Sequence, residues 1–180
     1  MITYIVLLRG INVGGHRKLP MAELRVLLTD NGFTDIKTYI QSGNIILQTE
    51  EINTSKIASH IQEIIHDKFG FLVPVLVKTR NDIQRVLEEC PFNQKQKEQT
   101  YFVMLKHYPE KALVEKAQDK SYPNDEYRIL KDCIYLLPKK GFGQSKFNMN
   151  YFEKILQTNA TARNYKTMLK LLSLSSDELL

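Results

Sequence analysis

The sequence predicts an α+β fold of two ferredoxin-like (split βαβ) subdomains, the second imperfect and carrying an extra C-terminal helix. Three observations predict it. Strand-length apolar runs and helix-period segments alternate in the order strand, helix, strand, strand, helix, strand. A second round of the same order begins near residue 101. The chain has 180 residues, 43% hydrophobic and 25% charged, which is enough apolar material for a core and leaves no tract polar enough to stay unfolded.

The elements follow in order. Residues 3–8 are continuously apolar and read as a strand buried on both faces. A long polar loop runs from there to Leu19. Pro20 opens a helix with Met21, Leu24, Leu27 and Leu28 on one face, and Gly32 supplies its left-handed stop. Two short β-rich runs, 36–40 and 45–49, flank Gln41-Ser42-Gly43-Asn44, which is hairpin-turn chemistry. Asn53 or Thr54 caps the next helix, whose face is Ile57, Ile61, Ile64, Ile65 and Phe69, closed by Gly70. The run 71–77 contains Pro74, which confines it to a sheet edge. This first subdomain spans 1–79. In the second, 80–180, a helix carrying Ile83, Val86, Leu87 and Cys90 stops at Pro91. A strand covers 101–105, Pro109 begins a helix, two strands flank a turn at Lys131-Asp132, and a helix covers 149–156. The pattern shows no closing strand and places a helix over 164–172 instead.

No run reaches the roughly 18 apolar residues that a membrane helix needs, so no membrane partner is expected. The apolar start lacks a basic leader and a small-residue cleavage site, and so reads as a strand and not as a signal peptide. Cys90 and Cys133 both sit in apolar patterns, as reduced core thiols do, and this points to a cytoplasmic protein. The formal charge of +5 is uneven. Residues 1–89 hold ten basic and ten acidic side chains, whereas 90–180 hold fifteen and ten. Seven basic residues stand against Glu153 alone between Lys139 and Lys170, a density that attracts phosphate-bearing partners. The plainer reading is a solvated basic face.

Three loops carry candidate chemistry. The first is Arg9-Gly10-Ile11-Asn12-Val13-Gly14-Gly15-His16-Arg17-Lys18, where glycines permit close backbone approach and Arg9, His16, Arg17 and Lys18 supply donors or charge for an anion. Gly10 and Gly15 have Walker spacing, but His16-Arg17 stands where Lys and Ser or Thr are required, and G-x-G-x-x-G is missing. An ATPase or dinucleotide enzyme is therefore disfavoured, and no cofactor is identified. The second is Gln41-Ser42-Gly43-Asn44, which binds a polar ligand or merely satisfies a tight turn. In a split βαβ sheet the first and third strands are neighbours, so these two loops should meet at one end of the sheet. The third is Lys139-Lys140-Gly141-Phe142-Gly143-Gln144-Ser145-Lys146, a basic glycine loop suited to a phosphate, with Arg163 further on. Tyr165 reads as a packing residue. His60, His66 and His107 lack ligand spacing, and no metal is expected.

The motifs Arg9-Gly10-Ile11-Asn12-Val13-Gly14-Gly15, Leu19-Pro20-Met21-Ala22-Glu23-Leu24-Arg25, Gly32-Phe33 and Thr38-Tyr39-Ile40-Gln41-Ser42-Gly43-Asn44 resemble the bacterial family called domain of unknown function 1697. The resemblance extends more loosely through Phe69-Gly70-Phe71 and Pro91-Phe92 to Gly143-Gln144-Ser145-Lys146 and Thr161-Ala162-Arg163-Asn164. Phe147 and Tyr165 stand where the family pattern leads one to expect leucine and tryptophan. The resemblance implies a cytosolic α+β protein with two related subdomains, and it implies no activity.

From the residues, the leading expectation is a binding module for a phosphate-bearing small molecule or a nucleic acid, using Arg9, Asn12, Gly14, Gly15, His16, Ser42 and Asn44. Lys139, Lys140, Lys146 and Arg163 extend the site if they share its face. One alternative is an enzyme on a small phosphorylated or polar metabolite, with Arg9 or His16 as acid or electrophile and Ser42 positioning. Another is that the loops are structural and the protein is an interaction module.

Overall fold

A computed structural model describes residues 1–176. The chain divides into two compact units, Met1–Gln84 together with residues 170–176, and Arg85–Leu169.

In the first unit, β1 (Ile2–Leu8), β2 (Thr34–Tyr39), β3 (Asn44–Thr49) and β4 (Val75–Thr79) form an antiparallel sheet in the order β2-β3-β1-β4. The apolar run of β1 takes a central place because both its faces are buried, from Tyr4 to Leu8. Tyr4, Val6 and Leu8 pack with Leu24 and Leu28 of α1 (Met21–Asp30) and Ile57, Ile61 and Ile65 of α2 (Thr54–Phe69). Asn53 caps α2 by accepting from the amides of Ser55 and Lys56, and Gly70 ends it at φ +77°. The strand expected around Pro74 does lie at the sheet edge, but it starts at Val75, one residue past the proline. The step from β4 into α3 (Arg80–Glu88) is locked reciprocally: Asp82 accepts from the amide and hydroxyl of Thr79, whose hydroxyl accepts from the Asp82 amide.

The second unit repeats the plan. Between α3 and its sheet lies α4 (Gln94–Lys97), a single turn closed by an Asn93–Gln96 capping box. The strands β5 (Tyr101–Leu105), β6 (Asp125–Leu130), β7 (Cys133–Pro138) and β8 (Ala160–Asn164) form an antiparallel sheet in the order β6-β7-β5-β8, the counterpart of the first. Helices α5 (Lys111–Gln118) and α6 (Met149–Leu156) belong to this round, and α7 (Tyr165–Leu174) follows it.

The closing strand that the sequence pattern lacks is therefore present. It runs Ala-Thr-Ala-Arg-Asn, residue types of mostly low strand preference. Its pairing with β5, from Leu105↔Ala160 to Tyr101↔Asn164, overrides that preference. The Glu153 carboxylate accepts from the Ala160 amide at 2.8 Å and fixes where the strand begins.

Candidate functional site

The loop 9–18 is a small finger. The Asn12 amide donates to the Arg17 carbonyl at 3.1 Å, the His16 amide donates to Val13 at 3.0 Å, and Val13 and His16 form an antiparallel bridge. Gly14 and Gly15 at its tip have φ of +57° and +77°, the pair of positive values that a type I′ hairpin turn requires. Their role is to turn the chain. Every residue from Val13 to Lys18 is exposed, so His16, Arg17 and Lys18 all face water. Arg17 holds a left-handed φ of +48°, uncommon for a long side chain, and its guanidinium lies over Gly10.

The finger meets the β2–β3 turn, as the topology requires. Leu8 donates its amide to the Gly43 carbonyl at 2.8 Å. Asn12 makes the remaining bridge: its Nδ2 donates to the carbonyls of Leu19 and Gln41 at 3.0 and 2.8 Å, and its Oδ1 accepts from the Leu19 amide at 2.8 Å. The amide of Asn12 thus works as a clamp at the base of the finger. Three net hydrogen bonds of about 0.5–1.5 kcal/mol each make Asn12→Ala cost about 2–3 kcal/mol, measurable by urea unfolding. A loss under about 0.5 kcal/mol would show that the finger holds its base without Asn12. Asn44 is fully buried and donates to the Tyr39 carbonyl and to Ser42 Oγ at 3.1 and 2.9 Å. Ser42 itself is exposed, and Arg9 is half-buried with its amide donated to Pro74 at 3.1 Å.

In the second unit, Lys139, Lys140 and Lys146 are exposed. Two of the loop's donors are turned inward. Ser145 Oγ and the Lys146 amide both donate to one oxygen of Asp125, at 2.9 and 3.1 Å, and Asp125 is 8% exposed. A carboxylate of the protein accepts two of the donors that the sequence reading gives to a phosphate, and the exposed lysine side chains remain for an outside anion. Arg163 lies inside. It is buried on β8, donates to Thr161 Oγ1 and the Ala162 carbonyl at 2.8 and 2.9 Å, and burial pushes its guanidinium down to about 10. Tyr165 packs, its ring stacked with Phe102 at 6.4 Å.

Burial also closes one recognition mode. Phe102 and Tyr135, on the central strands β5 and β7, alternate with the helix-facing residues and are fully buried, so this sheet face offers no platform to a base. Recognition is left to the loops. Sequence reasoning missed a cleft of about 550 Å³ in the second unit, lined by Lys120, Tyr122, Asp125, Glu126, Arg128 and Lys139 among others. Its mixed charge gives it no sign preference. Tyr127 in its wall shares its hydroxyl proton between the carbonyls of Ala117 and Lys120, and burial raises its pKa to about 12. No helix among the described residues is long and apolar enough to cross a membrane.

Residues 1–135 match the family described as a protein of unknown function, DUF1697. The chain belongs to the DUF1697 family. Its fold is similar to that of a conserved bacterial protein, SP0830 from Streptococcus pneumoniae, with a TM-score of 0.71 at 23% identity over 97% of this chain and 98% of that one. No curated protein matches. The DUF1697 match contains the finger and the β2–β3 turn and stops before the lysine loop at 139–146.

Proposed function

We propose that this DUF1697 protein is a cytoplasmic binding module for a phosphate-bearing partner, nucleic acid in preference to a free nucleotide, held by the finger 12–17 and Lys18. The observation that carries this reading is the exposed hairpin tip, where His16, Arg17 and Lys18 follow one another in a segment with no acidic residue before Glu23. Among the described residues, Arg17 and Lys18 form no salt bridge, so both charges are available to a partner. A small ligand gains its affinity by burying most of its own surface in a concavity. An exposed finger cannot bury it, but it can lie along a backbone and displace its counterions. The clamp by Asn12 and the strained φ of Arg17 hold the tip in one shape in advance. Both cysteines are free thiols, in keeping with the cytoplasm.

The test is anisotropy of labelled single-stranded and duplex oligonucleotides across a salt series. Affinity should fall with a log-log slope near −0.7 per phosphate contact on a single strand and near −0.9 on a duplex. Arg17→Gln with Lys18→Gln should make the single-strand slope shallower by about 1.4 and leave stability within about 0.5 kcal/mol. A salt-independent affinity, or an unchanged double variant, would overturn the proposal.

A further inference from the structure

The loop after β7 carries a feature that the basic finger does not account for. Phe142 is 43% exposed, and its ring stacks on Tyr101 at 4.1 Å between centroids and 17° between planes. Tyr101 is the first residue of β5 and packs against the helix-side core, so the lower ring of the pair is anchored to the sheet. The upper ring keeps much of its surface in water. A Cβ built on Gly141 or Gly143 would meet nothing within 4 Å, so the backbone on either side of Phe142 is open. Exposed Lys139, Lys140 and Lys146 flank it in the chain. The acids nearby are Asp125, buried and already accepting from Ser145 and Lys146, and Glu126 on the same strand.

An exposed ring fixed against a second ring costs little further ordering when a base settles on it, and bases stack on such rings with little regard to sequence. Lysines on both sides in the chain match the charge of the phosphates that flank any stacked base. A folded protein surface or a duplex offers no free base face, whereas a single strand does. We propose that Phe142, seated on Tyr101 and flanked in the chain by Lys139, Lys140 and Lys146, is a stacking platform for single-stranded nucleic acid. The site is separate from the finger and stands without it.

The chain contains no tryptophan, so Phe142→Trp introduces a single tryptophan, excited apart from the tyrosines at wavelengths longer than they absorb, at the platform. Titrating this full-length variant with an unstructured oligonucleotide should quench its emission, and the quenching should persist when Arg17→Gln and Lys18→Gln are added. By anisotropy, Phe142→Ala should weaken binding of the same oligonucleotide on the order of 5- to 100-fold, while Phe142→Trp retains it. Inorganic polyphosphate, which has charge but no bases, is the second probe. Its binding should be indifferent to Phe142→Ala and weakened by Lys139→Gln with Lys140→Gln. Absent quenching overturns the platform, whatever the finger variants show. So does equal loss of oligonucleotide and polyphosphate on Phe142→Ala, which would mean a structural role. Polyphosphate bound as tightly as the oligonucleotide, with no effect of Phe142→Ala on either, would assign the loop to acidic partners instead.

Discussion

Arg85→Ala should be among the most destabilising single substitutions in the chain. Arg85 sits on α3 and donates from Nη2 to Asp132 at 2.8 Å and from Nη1 to Glu89 at 3.4 Å, and Glu89 also pairs with Lys131. Asp132 lies in the β6–β7 turn and is 2% exposed. Burial disfavours the Arg85 charge, yet the hydrogen bond and charge of Asp132 outweigh it and hold the guanidinium above its ordinary pKa. The same helix is tied to the same hairpin by the buried Tyr135 hydroxyl, which donates to the Val86 carbonyl at 2.9 Å. Taking one partner from a buried pair costs about 3–5 kcal/mol, and the low end applies because the Arg85 side chain keeps 23% exposure. For a chain of this size about 3 kcal/mol corresponds to a fall in melting temperature of roughly 6–12 °C. Removing both charges, with Arg85→Met and Asp132→Asn, should recover most of the loss, because the penalty belongs to a buried carboxylate that has lost its guanidinium. If the double variant melts as low as the single one, the arginine acts through its packing, including its place 5.9 Å from the Tyr108 ring, and not through its charge.

What the sequence could disclose divides along the range of the interactions involved. Periodicity and caps are local, so β1, α1, α2 and the β2–β3 hairpin were legible, and the edge position of β4 followed from Pro74 alone. The meeting of the finger with the β2–β3 turn was also legible, because neighbouring strands follow from topology. Long-range partners were not. Asn12 in a glycine-bearing loop looks like a ligand donor, and only the fold shows that Leu19 and Gln41 take its amide. The pairing of Ser145 and Lys146 with Asp125, twenty residues upstream, leaves no trace in spacing. β8 was invisible because its Ala-Thr-Ala-Arg-Asn run becomes a strand only once β5 is beside it. The Phe142 ring had a signal in the sequence, a lone aromatic between two glycines and three lysines. Its significance depends on Tyr101, forty-one residues earlier, lying beneath it.

Gly43→Ala should be as damaging as Arg85→Ala, for a reason that reaches the proposed function. At Gly43 the β2–β3 turn passes against the end of β1: an added Cβ would lie 2.5 Å from Leu8 Cβ and 3.0 Å from Ile11 Cδ1. Leu8 Cβ is bound directly to the backbone of a central strand and cannot swing aside. The backbone at Gly43 is also left-handed, with φ +78°, which costs an L-residue roughly 1–2 kcal/mol before any contact is counted. Overpacking adds about 1–3 kcal/mol, and the total of about 2–5 kcal/mol should lower the melting temperature by roughly 4–20 °C. Gly15→Ala separates the two causes, since Gly15 has nearly the same φ, +77°, with nothing within 4 Å of the new atom. It should lose only the backbone cost, about 1–2 kcal/mol. Equal losses in the two variants would show that φ alone matters and that β1 yields to the turn. Unequal losses would show that Gly43 keeps the end of β1, Ile11 and the β2–β3 turn in contact. That contact carries Leu8 N–H to Gly43 O and, beside Ile11, Asn12 to Gln41, two bonds that hold the end of β1 and the base of the finger to the β2–β3 turn. A folded Gly43→Ala protein should therefore bind oligonucleotide more weakly while keeping its salt slope, because the charges remain and only their pre-arrangement is lost.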